Sequence, residues 1–372
     1  MLKKLAKQIL GPFYYQNPSI VWDFREWIEL GGDGKIIKDY QLSNWKEVKY
    51  SPSSILPDEE SLCFEEAVPP FPRYLGFTRN ASIAGDGFVF FSDGCFLLQP
   101  VWFADLLKKN PIYFKRLSGL KRVKKAGAYF SSLLFWCGGF YHWVAQVLPR
   151  FHRVIDDLPA DVHIIVPQTM EEWKWESLKA IGIPKNQCVP FQTNEIWDLE
   201  EFWYAPPVAL SGDHERESLV WLRSRFVADQ NTNENASKSK IYITRGEHSS
   251  RRVLNEDEIR PILEEFGFRI VDTGALPLDE QISIFKNASH IISPHGAGST
   301  NMLWAAEGSK FLEIFHPNTL DRRCYWTMSQ TLGHSYSYFV GKKINGLVAS
   351  PDSEYLIETE RFKDALEIFS RQ

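Results

Sequence analysis

The stretch that decides the fold is His290–Phe315, with the sequence HIISPHGAGSTNMLWAAEGSKFLEIF. Its first apolar run, residues 290–293, has the length and composition of a buried strand in a parallel sheet. The two glycines of the next segment, Pro294–Gly298, allow a sharp turn and the close approach of a ligand. A second apolar run, residues 310–315, predicts the following strand. The pattern therefore predicts a strand, a glycine loop, a short helix and a second strand, which is the repeating unit of an α/β sheet.

The glycine loop leads into a short helix that Ser299 or Thr300 can cap and that Gly308 ends. Free N–H groups and the helix dipole at such an N-terminus favour an anion such as a phosphate. Glu313 is predicted near the carboxyl end of the second strand, where open α/β sheets bind ligands and a carboxylate can accept both hydroxyls of a ribose. The loop lacks the third glycine of a dinucleotide fingerprint, so nucleotide binding and an ordinary structural turn are equally compatible with the local pattern.

The composition is that of a globular protein with two domains. The chain has 372 residues, of which 44% are hydrophobic and 24% charged. A net charge of −5 argues against a nucleic-acid-binding protein, so a ligand's phosphates would have to meet a local basic cluster. The five cysteines are scattered and never spaced as C-x-x-C, which suggests free thiols in a reducing compartment.

The N-terminal residues 1–10, MLKKLAKQIL, set apolar residues against three lysines. This pattern is compatible with peripheral attachment to the inner face of a membrane, although a domain helix with a solvated lysine face is favoured. No apolar run approaches the length of a membrane span, and no signal-peptide core is present in the sequence. We therefore expect a cytoplasmic protein.

The polar segment Asp229–Lys240, DQNTNENASKSK, predicts a linker or flexible loop. We place the domain change here, or just before the helix predicted at residues 218–227. The expected parts are an N-terminal α/β domain on the acceptor side (residues 1–228), a Rossmann-like domain (residues 229–350) and a terminal helix that packs back on the first domain (residues 351–372).

A second stretch of interest follows Gly138–Gly139, where apolar residues recur at helical spacing. His142 and Gln146 are four residues apart and therefore share one helix face. Polar residues on an otherwise apolar helix suggest a cleft. From the spacing alone, a histidine satisfied by a buried hydrogen bond is the favoured interpretation.

Three arginines follow the strand predicted at residues 240–244. Arg245 leaves its carboxyl end, and Arg251 and Arg252 lie in the next loop. Arginine can hold a phosphate by two parallel hydrogen bonds, although exposed loop arginines are usually only solvated. The sequence has no Asp-x-Asp motif, so we expect phosphate neutralisation by arginine and helix dipole without a metal. The absence of a Walker loop and of a G-x-S-x-G elbow disfavours an ATPase and a serine hydrolase.

These motifs occur in a fixed order along the chain: Tyr141-His142-Trp143 with Leu148-Pro149-Arg150, then Arg245 with Arg252, Asn255 and Glu256, then Pro294-His295-Gly296-Ala297-Gly298 with Asn301 and Glu313. Together they resemble glycosyltransferase family 61, which includes bacterial capsular-polysaccharide transferases, plant xylan arabinosyl- and xylosyltransferases, and animal O-linked GlcNAc transferases. The resemblance is strongest over residues 240–317 and weaker over residues 131–153.

The resemblance implies a GT-B-like α/β fold, in which two Rossmann-like domains face a central cleft and the C-terminal one binds most of the donor nucleotide. It also implies inversion at the anomeric carbon without a required metal. Arg245 and Arg252 would hold the diphosphate, the turn Gly296–Asn301 would meet phosphate or sugar, Glu313 would bind the ribose, and His142 would face the acceptor. The expected donor-binding residues are Arg245, Arg251, Arg252, Asn255, His295, Gly296, Ala297, Gly298, Asn301 and Glu313.

An inverting transfer needs a general base for the acceptor hydroxyl. Where many relatives have Asp or Glu four residues after the histidine, this chain has Gln146, which cannot act as a base. The base could be His142, which we favour, or a carboxylate of the first domain, Asp86 or Asp93. Loss of activity is the remaining alternative.

The leading hypothesis is an inverting glycosyltransferase that moves a sugar from a nucleotide-sugar donor, with UDP as the expected nucleotide, to an oligo- or polysaccharide acceptor in capsule or other surface-polysaccharide synthesis. The donor is a substrate, and no separate cofactor or metal is expected. The alternative is a non-catalytic, sugar-nucleotide-binding scaffold subunit of a polysaccharide assembly complex. A dinucleotide-binding oxidoreductase is disfavoured because the G-x-G-x-x-G fingerprint is absent.

Overall fold

The computed structural model describes residues 20–21, 23–41, 53–62, 72–98, 120–227, 238–246, 250–344, 350 and 353–372. The helix predicted at residues 1–10, with its membrane attachment, lies outside these residues. Most of the predicted linker, residues 229–237, lies outside them too.

The strands are β1 (Ile20–Val21), β2 (Lys35–Tyr40), β3 (Ser53–Ser54), β4 (Arg73–Ala84), β5 (Phe88–Phe90), β6 (Phe96–Leu97), β7 (Lys121–Ser131), β8 (His163–Val166), β9 (Cys188–Pro190), β10 (Glu195–Tyr204), β11 (Ser239–Ile243), β12 (Phe268–Val271), β13 (Ala288–Pro294), β14 (Lys310–Phe315) and β15 (Ser335–Val340). The α-helices are α1 (Phe24–Glu29), α2 (Phe140–His142), α3 (Glu172–Ala180), α4 (Arg216–Phe226), α5 (Glu256–Glu265), α6 (Leu278–Phe285), α7 (Cys324–Leu332) and α8 (Thr359–Arg371). A π-helix spans Trp143–Val147, and 3-10 helices span Leu148–Phe151, Ile155–Asp157, Lys185–Gln187, Thr273–Ala275 and Ala297–Trp304.

The chain forms two compact units, and the α/β class predicted from the sequence is confirmed. The first unit comprises residues 1–44 and 70–211, and the second comprises residues 45–69 and 212–372. The boundary therefore precedes α4, as in the second of the two positions considered above, and not residue 229. Helix α4 joins the second unit because Arg223 donates to the carbonyl of Ala305 over 2.7 Å and Phe226 packs on Trp304.

The first unit is built on a nine-stranded mixed sheet in the order β1-β6-β5-β4-β10-β7-β8-β9, with β2 paired to β4. Strands β10, β7, β8 and β9 are parallel, whereas β4 is antiparallel to β10. The turn Gly85–Gly87 joins β4 to β5 as a hairpin, and both glycines have positive φ. Aromatic side chains fill much of the core, and the rings of Trp27 and Phe91 stack at 3.7 Å. The sheet is therefore only partly the parallel sheet expected of a Rossmann-like domain.

The second unit contains a six-stranded parallel sheet in the order β12-β11-β13-β14-β15-β3. Counted along the chain from β11, its five main strands are arranged 2-1-3-4-5. The strand order reverses between β11 and β13, and open α/β sheets bind ligands outside the carboxyl ends of the strands at such a point. The glycine loop predicted as a ligand site follows β13 directly.

The helix after the glycine loop differs from the prediction. It is a 3-10 helix over Ala297–Trp304, and it begins at the loop rather than after a Ser299 or Thr300 cap. The hydroxyl of Ser299 is used elsewhere, because it donates to the Ser293 hydroxyl over 2.8 Å. The strands on either side lie where the apolar runs predicted them.

The terminal helix α8 packs on the second unit, which corrects the prediction that it returns to the first. Its buried residues Phe362, Leu366 and Phe369 share a core with Ile259 and Leu263 of α5. This helix is amphipathic, and the apolar surface of α5 is the neighbour that buries its apolar face. Among the described residues, no helix is long and apolar enough to cross a membrane.

Candidate functional site

Arg245 lies where the strand order of the second sheet reverses. It follows β11, and its Nη1 donates to the backbone carbonyl of His295, which follows β13, over 2.8 Å. Its Nε donates to the carbonyl of Ser250 over 2.9 Å. One guanidinium thus fixes the loops that follow both central strands, at the edge where a ligand is expected.

A side chain at Gly296 would displace the Arg245 guanidinium from its present position. A Cβ added here would lie 1.7 Å from Nη1 of Arg245. Its φ of 169° is extended backbone that any residue can adopt, so conformation does not require glycine. The arginine therefore lies directly against the backbone of the loop.

Gly298 brings the start of the 3-10 helix close to the sheet. A Cβ at this residue would meet Oγ1 of Thr273 at 2.8 Å and Cγ2 of Ile243 at 3.0 Å. The first N–H groups of a helix have no partners within the helix. The first N–H groups of the helix Ala297–Trp304 follow Gly296 directly. Backbone donors and the Arg245 guanidinium are therefore grouped at one edge of the sheet. This arrangement is suited to binding an anion.

His295 and Glu313 form a buried pair behind this edge. His295 is 5% exposed, and its Nδ1 lies 2.5 Å from Oε1 of Glu313. Glu313 is fully buried, and the hydroxyl of Tyr336 donates to its Oε2 over 2.6 Å. Both oxygens of Glu313 are thus used inside the unit. The carboxylate therefore holds the His295 ring, and the ribose contact expected for Glu313 stays a prediction.

Burial lowers the pKa of His295 below its usual value, and the nearby Arg251 and Arg322 guanidinium groups lower it further, while Glu313 opposes this effect. The ring is therefore neutral at neutral pH. Its Nδ1 carries the proton that Glu313 accepts, so Nε2 is the nitrogen available to a ligand.

Arg251 is the second arginine that the structure brings to this site. Its backbone adopts a positive φ of 62°, and its charge reaches the His295 ring. A non-glycine residue with positive φ is uncommon and is found most often at functional sites.

Arg252 and Asn255 hold the C-terminal segment. Arg252 forms a salt bridge with Glu354, with Nε 2.7 Å from Oε1. The side chain of Asn255 donates to the carbonyl of Ile357 over 2.7 Å and accepts from its N–H over 2.9 Å. These partners place both side chains against the C-terminal segment, and the donor contacts expected for them stay predictions. The Asn255 side chain makes no capping hydrogen bond to α5, since it is turned to Ile357.

Asn301 is also an internal residue. Its Nδ2 donates to Oε1 of Gln281 over 2.8 Å, and its Oδ1 accepts from Nε1 of Trp304 over 3.0 Å. It is fully buried, so its side chain shapes the 3-10 helix, and the ligand contact expected for it stays a prediction.

In the first unit, His142 ends helix α2 and is partly buried. Its Nδ1 lies 2.6 Å from Oε1 of Gln146, which is 4% exposed. Burial lowers the pKa of His142, and the hydrogen bond to Gln146 partly opposes this. When Nδ1 donates to the amide oxygen, Nε2 carries the lone pair that a general base needs. The π-helix at Trp143–Val147 follows directly, and single π turns are frequent at functional sites.

The two alternative carboxylates have different surroundings. Asp86 is an exposed residue at the tip of the turn between β4 and β5. The surrounding protein still removes part of the water around its carboxyl group, and this partial burial raises the pKa of that group. Burial would also raise the pKa of Asp93, but hydrogen bonds from the Cys95 N–H and from Nε1 of Trp27, at 2.9 and 2.7 Å, bring it below its usual value. Asp93 therefore organises the turn before β6 and is a poorer base than Asp86.

A cavity of about 920 Å³ lies on one face of the first sheet. Among its lining residues, Arg122 donates to Asp198, with Nε 3.0 Å from Oδ2, and also donates to the Ser82 hydroxyl over 3.1 Å. None of the predicted catalytic residues lines it, so we assign it no part in the chemistry.

Three residues near these groups were not identified from the sequence. Trp136 is 48% exposed, has a φ of 64°, and its ring centroid lies 5.4 Å from that of His142. Tyr336 and Arg322 act on the His295–Glu313 pair. The tyrosine lies in an apolar strand, and no local pattern distinguishes it from a core residue. The chain has 13 tryptophans, for most of which a place in the core is the default, and nothing local distinguishes Trp136 among them.

Comparison with known proteins indicates the class of protein. Residues 140–312 match the model of the family Glycosyltransferase 61, which confirms the predicted resemblance over a stretch that includes His142, Arg245 and His295. The chain is also similar to the EGF domain-specific O-linked N-acetylglucosamine transferases of Xenopus laevis (33% identity over 112 residues), Drosophila melanogaster (33% over 89) and Mus musculus (30% over 112). These matches cover 28%, 23% and 28% of this chain and only 21%, 17% and 21% of the relatives. They support glycosyl transfer as the class of reaction.

Proposed function

We propose that this protein is an inverting glycosyltransferase that moves a sugar from a nucleotide diphosphate-sugar, with UDP as the expected nucleotide, to a glycan acceptor. The observation that carries the proposal is the position of Arg245, whose Nη1 donates to the His295 carbonyl over 2.8 Å beside Gly296. This arrangement lies at the reversal point of the parallel sheet, within the stretch that matches the family.

The diphosphate of the donor would bind at the edge formed by Arg245, Arg251 and the N-terminus of the helix Ala297–Trp304. Guanidinium groups and helix N–H groups both donate to phosphate oxygens, and they would stabilise the negative charge that develops on the leaving nucleotide. The carboxylate of Glu313, behind this edge, is held by His295 and Tyr336. We therefore propose that arginine and backbone donors neutralise the diphosphate without a metal.

His142 would activate the acceptor. As an acceptor hydroxyl oxygen attacks the anomeric carbon, the bond from that carbon to the phosphate oxygen breaks and the hydroxyl proton passes to Nε2 of His142. Burial keeps this imidazole neutral at neutral pH, which is the form that can accept a proton. Attack opposite the leaving nucleotide inverts the configuration at the anomeric carbon.

The GT-B arrangement, with donor bound by the second unit and acceptor by the first, belongs to the same proposal. So do a cytoplasmic location and a part in surface-polysaccharide synthesis, which rest on the composition and on the resemblance described above. The acceptor is proposed only as a glycan, since the named relatives share about a fifth of their length with this chain.

The test is a thermal-shift and calorimetric screen of the purified chain against UDP, GDP and CMP and their sugar derivatives, with and without EDTA. A ligand that binds only the native state raises the unfolding temperature in proportion to the logarithm of its concentration. We expect a selective shift for one nucleotide that EDTA does not abolish. No shift with any nucleotide would contradict the proposal, and a shift that requires a divalent ion would contradict its metal-independent part.

A second candidate is a non-catalytic, sugar-nucleotide-binding scaffold subunit, and the neutral Gln146 beside His142 favours it. Both candidates predict nucleotide binding. Release of free nucleotide from the donor, alone or with added oligosaccharides, distinguishes them, because only the enzyme breaks the bond between the sugar and the phosphate.

A further inference from the structure

A chain of buried polar groups leads from the proposed donor site into the second unit. His295 donates from Nδ1 to Glu313, and Glu313 also accepts from Tyr336, at 2.5 and 2.6 Å. Each oxygen of the Glu313 carboxylate thus accepts one hydrogen bond. Because Glu313 is fully buried, its charge acts on the imidazole through protein and not through water.

Opposing charges act on the same ring. Arg251 and Arg322 lower the pKa of His295, in addition to the effect of burial, and Glu313 raises it. Arg245 contributes a third cationic group, which is bonded to the His295 carbonyl at 2.8 Å. The ring is therefore held between one buried anion and a set of cations.

Within the part of the chain that the structure describes, two aromatic rings and a thiol are further neighbours of the ring. Phe315 stacks on it at 5.6 Å and Tyr325 packs against its edge at 5.2 Å. Burial raises the pKa of the Tyr325 hydroxyl well above its usual value and likewise raises the pKa of the nearby Cys324 thiol. The balance at His295 is thus decided by Glu313 on one side and the arginines on the other.

A bound diphosphate changes this balance in one direction. Its negative charges neutralise the arginines, which removes their effect on the imidazole, while the buried Glu313 carboxylate remains. The pKa of the ring then rises, because a proton on it interacts favourably with both the carboxylate and the ligand. Nε2 is the nitrogen that can take this proton, since Nδ1 already carries one.

We propose that binding of a nucleotide diphosphate-sugar to the second unit draws a proton from solvent onto Nε2 of His295, so that an imidazolium joins Arg245 in neutralising the diphosphate. Glu313 and Tyr336 act as positioning residues in this step, since they hold the ring and do not touch the ligand. The proton returns to solvent when the nucleotide leaves. The inference rests on the donor site of the proposed function and adds to it a coupling between proton and nucleotide binding.

The experiment is isothermal titration calorimetry with UDP-N-acetylglucosamine, UDP-glucose and GDP-mannose at pH 6.5, in phosphate and in a buffer of high ionisation enthalpy. The diphosphate of a nucleotide-sugar has no proton that titrates near neutral pH, so a difference in heat between buffers reports protons exchanged by the protein. We expect uptake approaching about one proton per nucleotide, which declines as the pH rises through the pKa of the ring in the complex. The affinity should weaken by up to about tenfold for each unit rise in pH where uptake is complete.

Two variants locate the proton. His295→Gln should bind without uptake, whereas His290→Gln is the matched control, since His290 lies on β13, the strand that His295 follows, and burial together with nearby lysines lowers its pKa to about 4. Uptake that persists in His295→Gln would overturn the assignment. If that variant does not fold, the Cε1 resonance of His295 in the ¹³C-histidine-labelled wild type reports the same protonation with and without the nucleotide-sugar.

The outcomes separate this inference from the proposed function. A binding heat that is the same in both buffers, together with clear nucleotide binding, would contradict the protonation step but not the donor site. No binding of any of the three nucleotide-sugars would overturn the donor site and the protonation step together.

Discussion

Gly296 and Arg245 exclude any side chain between them, because a Cβ on the glycine would lie 1.7 Å from Nη1 of the arginine. The same Nη1 donates to the carbonyl of the preceding residue, His295, over 2.8 Å. Two residues that are 51 positions apart in the sequence thus form one surface, and the most direct consequences of the proposed donor site concern this contact.

Gly296→Ala should reduce nucleotide affinity without unfolding the second unit. The backbone at this residue is extended, so alanine is tolerated conformationally, but the added methyl group displaces the guanidinium from the loop. Calorimetry with the nucleotide found in the screen measures the loss. Gly138→Ala is the control, because a Cβ there has nothing within 4 Å. Unchanged affinity in Gly296→Ala would show that the close contact is not part of the site.

Arg245→Ala should weaken nucleotide binding by about 1.5–3 kcal/mol, the usual range for a hydrogen bond to a charged group. Arg252→Ala is the informative comparison, since the sequence predicted both arginines as diphosphate ligands. Arg252 is paired with Glu354 in a salt bridge that is about one-third exposed, so its removal should change stability by at most about 1 kcal/mol and affinity little. Equal losses of affinity in the two variants would contradict this distinction.

The sequence predicted β11, β13 and β14 of the second unit because each is a short apolar run bounded by polar or glycine-containing segments, whereas β3 and β15 were not predicted. It also located the loop after β13 and Arg245 after β11. It did not indicate that the two loops meet, since contact between them depends on the 2-1-3-4-5 order of the sheet. That strand order follows from packing over the whole unit and cannot be predicted from any single stretch of the sequence.

Glu313 shows where local pattern is insufficient. Its place near the end of β14 was predicted, but the direction of its side chain was not. The strands of a parallel sheet covered on both faces are apolar throughout, so they show no alternation of polar and apolar residues that would indicate a direction. Its partner Tyr336 is 23 residues away on the next strand. Arg252 and Glu354 are 102 residues apart, and no local spacing connects them. In both cases the sequence draws attention to the charged residue but does not indicate which residue is its partner.

Asn255→Ala should destabilise the protein while leaving nucleotide affinity unchanged. The substitution leaves the N–H and carbonyl of Ile357 without the two hydrogen bonds that Asn255 makes, at a cost of about 1–3 kcal/mol. Denaturant unfolding measures the loss. Glu258→Ala is the control, because the neighbouring Glu258 accepts a hydrogen bond from Asn255 at the surface and its removal leaves both bonds to Ile357 intact. Normal stability together with weakened nucleotide binding in Asn255→Ala would show that Asn255 belongs to the donor site.

His142→Ala should abolish sugar transfer and leave donor binding nearly intact, because the residue lies in the first unit and is proposed to act only on the acceptor. A neutral imidazole is the active form of a base, so activity should be constant above its pKa and fall below it. Burial places that pKa below the ordinary value of 6.5, so the acid limb of the rate profile should lie below pH 6.5. Gln146→Glu should move that limb to higher pH, because a carboxylate favours the imidazolium. Asp86→Asn is the comparison: a larger loss of transfer there than in His142→Ala, with donor binding unchanged, would assign the base to Asp86.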